Sequence, residues 1–273
     1  MTAQGTGGTG VGFYQRFQQR RRKRVKRFGK NFIRGMSAFI GRQSLVGDVP
    51  VYDKALFPFI AMLEDNWQII RGELDQVLAH RDAIPPFVDV SSDQKKIAFD
   101  RRWQTYVLFG FGVEVPTNCR HAPETARLLR QVPNLQTAFF SIIGPHYHVP
   151  RHRGVSKTIL RSHLALIVPK DRENCWIRIE DQRVNWTQGK AFVFDDTFDH
   201  EVYNNTDEDR VVLLFDFDRP MRFWGRLLHR VFLAGLRMTA YYREPKRNML
   251  THEQRFEAAV KRAQGMLENA PPR

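Results

Sequence analysis

Two histidines and an arginine stand in an arrangement that could hold a metal ion and an acidic ligand. His152 begins a His-Arg-Gly triplet, His200 begins an apolar segment further along, and Arg210 follows it. Non-haem Fe(II) oxygenases hold their metal with two histidines and one carboxylate, which leaves positions open for a cosubstrate and O2. That carboxylate usually stands two residues after the first histidine, where this chain has Gly154. The pattern therefore predicts a two-histidine iron site without the usual third protein ligand.

Arg210 stands at the start of a strongly apolar segment, RVVLLFDF. A buried arginine is costly unless it has an anionic partner, and its planar fork suits a carboxylate. We expect that partner to be the distal carboxylate of 2-oxoglutarate; the alternative is an ion pair with Asp216. Side chains alternate between the two faces of a strand, so Arg161 and His163 are expected to point into one cavity.

Two segments around these residues resemble a known family. They are HYHVPRHRGVSKTILRSHLALIVP at 146–169 and NWTQGKAFVFDDTFDHEVYNNTDEDRVVLLFDFDRP at 185–220, with weaker similarity back to about residue 51. The chain resembles the aspartyl/asparaginyl β-hydroxylases, a family of Fe(II)/2-oxoglutarate dioxygenases that has the same gap in its metal-ligand motif. The resemblance implies a dioxygenase that uses Fe(II), 2-oxoglutarate as cosubstrate, and O2.

The resemblance also implies roles for individual residues. The implied catalytic residues are His152, His200 and Arg210, of which the two histidines bind the metal. The residues implied to contact 2-oxoglutarate are Ser141, His163 and Arg210. Those implied to contact the substrate are Arg161, through a substrate carboxylate, and Trp103, as a wall of the site.

An acidic pair, Asp195-Asp196, lies shortly before His200. We hypothesise that Asp196 compensates for the missing ligand from outside the coordination sphere, by orienting a metal-bound water or a ligating imidazole. The alternative is a solvated acid in a turn. His146 and His148 are interpreted as loop residues near the mouth of the site rather than as further ligands.

Short β-branched and aromatic segments separated by polar turns dominate the second half of the chain. They lie at 137–143, 162–168, 175–180, 183–186, 191–196, 200–204 and 210–217. This pattern predicts a mainly β fold with flanking helices, arranged as a double-stranded β-helix, or jelly roll. A hairpin is expected around Asp181-Gln182.

Apolar residues at helical spacing predict helices over 54–79, from Pro123 to about Val132, and after residue 221. The last of these has an apolar stripe that includes Trp224, Leu227 and Val231. We expect this stripe either to pack on the barrel or to lie on a lipid surface. Three regions are predicted: a basic, partly disordered amphipathic arm at 1–45, a dioxygenase domain at 46–220 and a C-terminal helical extension at 221–273.

The net charge of +14 is concentrated at the N-terminus, because residues 1–43 contain eleven Lys and Arg and no acid. Residues 13–40 are predicted to form a basic amphipathic helix that could contact an anionic membrane or pack as a solvated tail; no nucleic-acid partner is expected. The sequence shows no transmembrane helix or signal peptide by its pattern. Two cysteines indicate a reducing compartment. We expect a cytoplasmic protein, peripheral at the inner face of a membrane if the arm binds one.

Three interpretations of function remain at this stage. The first is hydroxylation of the β-carbon of Asp or Asn in a peptide or protein, which Arg161 would support by binding the substrate carboxylate. The second is hydroxylation of a lipid A or other membrane-lipid acyl chain, because WQTYVLFGFG, CWIRIEDQRVNW and DFDRP look similar to the bacterial hydroxylases of lipid A. The third is a non-catalytic jelly-roll binding module.

Overall fold

Two antiparallel sheets form from the β-branched and aromatic segments, and they face each other across an apolar interior. The computed structural model describes residues 35–90, 97–110, 112–154, 156–237, 253–254 and 256–262. Of the predicted basic helix at 13–40, only the part from residue 35 lies within the described residues, where 35–43 is helical. The predicted disorder of the N-terminal arm lies outside them.

The larger sheet has seven strands in the order β1-β9-β6-β11-β4-β2-β3, and the smaller has four in the order β5-β10-β7-β8. The strands are β1 Val51–Tyr52, β2 Trp103–Gly110, β3 Val113–Glu114, β4 Leu135–Ile143, β5 Tyr147–His152, β6 Ile159–Ile167, β7 Cys175–Ile179, β8 Gln182–Asn185, β9 Ala191–Phe194, β10 His200–Asn204 and β11 Arg210–Asp218. This pair of sheets, flanked by helices, confirms the predicted jelly roll.

Strand β11 shows how the alternation of side chains divides the core. Val211 and Leu213 face one way, into a core that the larger sheet shares with the helices. Val212 and Leu214 face the other way, into the core between the two sheets. Because side chains alternate along a strand, Arg210 also faces the space between the sheets, as the sequence predicted.

Helices pack on the outer face of the larger sheet. They are α1 (35–43), α2 Pro58–Asp65, α3 Trp67–Leu78, α4 Phe87–Val90, α5 Pro116–His121, α6 Pro123–Leu129, α7 Phe223–Arg237 and α8, whose described residues are 253–254 and 256–262. None of the helices in the described part of the chain has the length and apolar character needed to cross a bilayer.

The predicted single helix over 54–79 is two helices, because the chain breaks at Asn66. Asn66 has φ −105° and ψ 13°, outside the helical region, and its side-chain amide donates to the carbonyl of Met62 at 2.8 Å. An asparagine that bonds to nearby backbone competes with helix continuation. The apolar spacing continues across the break, which explains why it was missed.

Strands β2 and β5 were not predicted. In β5 the segment contains Pro150 and charged residues, which argue against a central strand. In the part of the chain that the structure describes, β5 lies at the edge of the smaller sheet and pairs with β10, and an edge strand tolerates a proline. The hairpin was predicted correctly, but Ile179 pairs with Gln182, so its turn is Glu180-Asp181.

Helix α7 does not pack its apolar stripe on the barrel. Trp224, Leu227 and Val231 are exposed by 63%, 42% and 62% of their surface. The helix is held instead by Gly225 and His229, which are buried. The packing alternative for this stripe is therefore wrong within the part of the chain that the structure describes.

Candidate active site

The two predicted metal-binding histidines lie side by side on the smaller sheet. His152 ends β5 and His200 begins β10, and the two are paired across the strands. Their ring centroids are 4.1 Å apart. Neighbouring imidazoles at this separation can share one metal ion.

Both rings are held in the tautomer that a metal ligand needs. The Nδ1 of His152 is 2.8 Å from the carbonyl of Pro150, and the Nδ1 of His200 is 2.9 Å from the carbonyl of Phe198. A neutral imidazole that donates from Nδ1 carries its lone pair on Nε2. Burial lowers the pKa of both rings, and with the help of His152 it lowers the pKa of His200 to about 3. Both are therefore neutral imidazoles at neutral pH, which is the form that can bind a metal.

Asp196 fills the space that the missing ligand would need. A Cβ built on Gly154 would collide with the carboxylate of Asp196, and the Gly154 amide donates to the Asp196 carbonyl at 2.6 Å. Burial raises the pKa of Asp196 to about 6 despite the opposing effect of Arg161. The solvated-turn alternative for Asp196 is wrong, because its side chain is buried.

Arg161 is held by acids of the protein itself. Its Nε and NH2 bond to the two carboxylate oxygens of Asp216 at 2.7 and 2.9 Å, and its NH1 is 3.3 Å from Asp196. The pairing follows from the sheet register, which places Arg161 opposite Asp216. Asp216 was considered as a partner of Arg210, so that alternative is wrong. A carboxylate of a substrate would have to join or displace these acids.

Arg210 is buried, and no acid in the described part of the chain forms an ion pair with it. It is only 1% exposed, and within the described residues its Nε and NH1 have no hydrogen-bond partner. Its guanidinium lies 4.7 Å from the ring centre of Trp186. Burial lowers the pKa of Arg210 to about 10, which still leaves it charged at neutral pH. A buried cation with unused donors is suited to an anionic ligand.

His163 shares a neighbour with Arg210, since its ring stacks on Trp186 at 6.2 Å between centroids, and another with His200. The ring of His163 contacts Phe194 at 5.2 Å between centroids, and Phe194 contacts His200 at 5.6 Å. Neither ring nitrogen of His163 has a hydrogen-bond partner among the described residues. Burial, and next the charge of Arg210, hold the pKa of His163 well below its usual range. The ring is therefore neutral and has one donor and one acceptor to offer.

Ser141 and Trp103 also line the space between the sheets and contact each other. The Nε1 of Trp103 donates to the Ser141 hydroxyl at 3.1 Å, so the hydroxyl proton of Ser141 remains available for a ligand. Trp103 stacks on Phe87 with ring centroids 4.1 Å apart, which fixes it as part of the wall.

His146 and His148 do not belong to the site. His148 lies in strand β5 rather than in a loop, stacks on Tyr203 at 3.9 Å and bonds to Glu201. His146 bonds to the exposed Asp207 at 2.8 Å. Among the described residues there is no group of three His, Cys, Asp or Glu that could hold a metal ion. The two-histidine ligand set is thus still a prediction.

A buried ionic cluster beside the site was missed from the sequence. Asp195 and Arg219 are both fully buried and form an ion pair, and Lys157 bonds to Asp195 at 3.0 Å. Arg219 also bonds to the Tyr52 hydroxyl at 2.6 Å. The cluster anchors the residue next to Asp196.

Trp186 was also missed from the sequence as a residue of the site. The available signal was a tryptophan at the end of a predicted strand.

Known proteins are similar in sequence to the part of this chain that carries the site. A family profile described as Aspartyl/Asparaginyl beta-hydroxylase matches residues 64–220. The ornithine lipid ester-linked acyl 2-hydroxylase of Rhizobium tropici is 37% identical over 234 residues, 86% of this chain and 83% of that protein. The aspartyl/asparaginyl beta-hydroxylase of Homo sapiens is 31% identical over 166 residues, 59% of this chain but only 21% of the human protein. Among solved structures, the Schizosaccharomyces pombe Cnp3 cupin domain aligns with 44% of this chain and 66% of that chain, at a TM-score of 0.30 and 11% identity.

Proposed function

The chain belongs to the aspartyl/asparaginyl β-hydroxylase family and is a hydroxylase, and we propose that it uses Fe(II), 2-oxoglutarate and O2 to hydroxylate an unactivated C–H bond. The observation that carries this proposal is the set of buried polar atoms of Arg210 and His163 that have no partner in the described residues. They lie near two neutral imidazoles whose Nε2 atoms are available to a metal. The donor set thus fits a carboxylate-bearing cosubstrate next to iron.

Each residue would have a distinct task in this reaction. His152 and His200 would hold the iron, and bound iron with 2-oxoglutarate would supply the oxidising chemistry. Arg210 would bind the distal carboxylate of 2-oxoglutarate in a water-poor pocket, where a charge-assisted hydrogen bond is strong. His163 and Ser141 would donate to the cosubstrate and fix its orientation. Trp103 and Arg161 would border the substrate.

The iron site can be tested by removing histidines one at a time. We expect His152→Ala and His200→Ala to abolish Fe(II) binding, because each removes one of only two protein ligands. His163→Ala should keep iron and mainly raise the 2-oxoglutarate requirement. The measurement is an anaerobic titration with Fe(II) and 2-oxoglutarate that follows the visible metal-to-ligand charge-transfer band.

His146→Ala is the matched control, because His146 is an exposed histidine at the start of the same strand region. It should titrate like the unaltered protein. Loss of iron in His163→Ala with retention in His152→Ala would reverse the assignment of ligand and cosubstrate contact. The absence of any band in the folded protein would contradict the proposal and favour a non-catalytic binding module.

Asp196 is proposed to compensate for the absent third ligand by orienting a metal-bound water or an imidazole. Replacing a residue that supports a metal ligand commonly costs about 10- to 100-fold in metal affinity, and we expect a loss of that size for Asp196→Ala. The measurement is Fe(II) affinity by competition with a chelator. Asp207→Ala, which removes an exposed carboxylate, should leave the affinity unchanged. Equal affinities in the two variants would refute this role.

A peptide or protein substrate hydroxylated at the β-carbon of Asp or Asn is the first candidate. Arg161 favours it, since this guanidinium lies near His152 and could contact a substrate carboxylate once Asp216 and Asp196 accommodate it. The human relative is named for this activity. This substrate assignment remains a proposal, because the matched segment is 21% of that protein.

A membrane-lipid acyl chain is the second candidate. The rhizobial relative, which matches over 86% of this chain, is named for hydroxylation of an ester-linked acyl chain of ornithine lipid. We further propose that the basic segment 13–40 contacts an anionic membrane, which would place the enzyme at the inner face of a cytoplasmic membrane. Release of succinate in the presence of peptide or lipid would decide between the two substrate classes.

A further inference from the structure

Helix α7 presents a row of large apolar side chains to solvent. Phe223, Trp224, Leu227 and Val231 are exposed by 61%, 63%, 42% and 62% of their surface. The spacing of the last three is three and four residues, which places them along one side of the helix. Contiguous exposed apolar surface of this kind marks an interaction site.

A different, narrow face of α7 attaches it to the rest of the protein. Gly225 is buried, and a Cβ placed there would lie 2.8 Å from the Cβ of Gln43. The ring of His229 is buried and bonds to Asp218 at 2.9 Å. The backbone amide of Arg222 donates to the carbonyl of Gln43 at 2.9 Å. The exposed apolar row is therefore not used to hold the helix in place.

Arginines border this row. Arg222, Arg226 and Arg230 are exposed, and the sequence from 219 to 242 contains no acidic residue. Asp218, the acid nearest in sequence, is already bonded to His229 and Gln136. A helix with aromatic and aliphatic residues on one side and arginines beside them is typical of helices that lie in the interface of a bilayer. Arginine stems can cover apolar surface while their charged ends reach lipid phosphates.

The loop before β1 lies beside the start of α7 and carries further exposed apolar residues. The amide of Leu45 donates to the carbonyl of Pro220, immediately before α7, and Leu45 and Val49 are exposed by 59% and 42%. Lys157 links this loop to the site, since it bonds to Asp48 at 2.5 Å and to Asp195 at 3.0 Å. We call these exposed residues the α7 surface: Leu45, Val49, Phe223, Trp224, Leu227 and Val231.

We propose that the α7 surface docks on a lipid bilayer that contains anionic lipid, with the edge of the barrel that carries the site turned toward that bilayer. The charge pattern favours a bilayer over a second copy of the chain. Two copies that paired through α7 would bring their arginine rows together, and like charges across an interface are unfavourable. Docking requires neither iron nor 2-oxoglutarate, so this inference stands or fails separately from the proposed reaction.

The test uses the full chain and vesicles of phosphatidylcholine with or without one quarter phosphatidylglycerol. We expect preferential co-sedimentation with the anionic vesicles. A variant with Trp224→Gln, Leu227→Gln and Val231→Gln should bind them about tenfold more weakly, because binding scales with buried apolar area. A second variant, Arg222→Gln with Arg226→Gln and Arg230→Gln, should show a weaker preference for anionic lipid than the unaltered protein, the remaining preference being due to the basic segment 13–40. The matched control, Ile69→Gln with Val113→Gln, changes exposed apolar residues elsewhere and should bind normally.

Fluorescence quenching by brominated lipid separates α7 from the basic arm, which the full chain retains. The unaltered protein should be quenched more than Trp224→Phe when vesicles are present. Equal quenching of the two proteins, or normal vesicle binding by the apolar triple variant, would overturn the proposal. Dimers that dissociate in the triple variant without vesicles would assign the surface to a second copy instead. Iron binding should be unchanged in all of these variants, whose altered residues lie outside the catalytic machinery.

Discussion

Replacing Arg210 by methionine is expected to remove 2-oxoglutarate binding and, at the same time, to make the cosubstrate-free protein more stable. The guanidinium is fully buried and lacks partners for its Nε and NH1 among the described residues. Such a charge costs free energy until an anion arrives. Exchanging buried ionic groups for apolar residues of similar volume has stabilised proteins by about 1 to 4 kcal/mol, and we expect a gain in the lower part of that range.

Urea unfolding with and without 2-oxoglutarate, at constant Fe(II) and without O2, measures both effects. 2-Oxoglutarate is added at 100 times its Kd, a concentration at which a ligand stabilises the folded state by about 2.7 kcal/mol. The free energy of unfolding of the unaltered protein should rise by that amount. Arg210→Met should gain nothing. The control is Arg161→Met, which leaves Asp216 without its bidentate partner and should lower stability. A variant at 210 that is destabilised yet still responds to 2-oxoglutarate would contradict the assigned role.

Replacing Arg219 by alanine is expected to destabilise the protein by about 3 to 5 kcal/mol, the cost typical of breaking a buried ion pair by removing one partner. Arg219 is as buried as Arg210, but its donors are used by Asp195, the Tyr52 hydroxyl and the Lys157 carbonyl. Its loss leaves the carboxylate of Asp195 in a site that is fully buried. Lys157 alone would then balance that charge.

The measurement is the free energy of unfolding of the iron-free protein in urea. Arg222→Ala removes an exposed arginine three residues away, and surface changes of this kind usually stay within about 0.5 kcal/mol. Arg219→Lys keeps the charge but not the planar fork, so it should fall between the two. A loss at Arg219→Ala no larger than at Arg222→Ala would show that the cluster contributes little to stability.

Local patterns predicted the parts of the site that depend on neighbouring residues. Strand β10 was predicted at 200–204 and lies there, because alternation within five residues identifies it. The shared face of Arg161 and His163 was predicted for the same reason. The strand that carries His152 was missed, because its proline and charges are compatible with a strand only at a sheet edge, and edge position depends on pairing with distant residues.

Contacts between distant segments could not be read from such patterns. Arg161 forms an ion pair with Asp216 of the protein itself, because the register of β6 against β11 places the two residues opposite each other. Asp195 and Arg219 also form an ion pair between residues that are distant in the sequence, 24 positions apart. For α7, helical spacing identified an apolar side, but which side contacts the protein depends on Gly225 and on its fit against Gln43.

The contact between Gly154 and Asp196 has a consequence for how such a site could change. The proposed two-histidine site differs from the ordinary three-ligand kind at position 154, where a carboxylate would supply the third ligand. Here a side chain at 154 would occupy the volume already taken by the carboxylate of Asp196. If His152 and His200 hold a metal as proposed, an acid introduced at 154 would meet that carboxylate unless Asp196 changed as well. The two positions are therefore expected to change together.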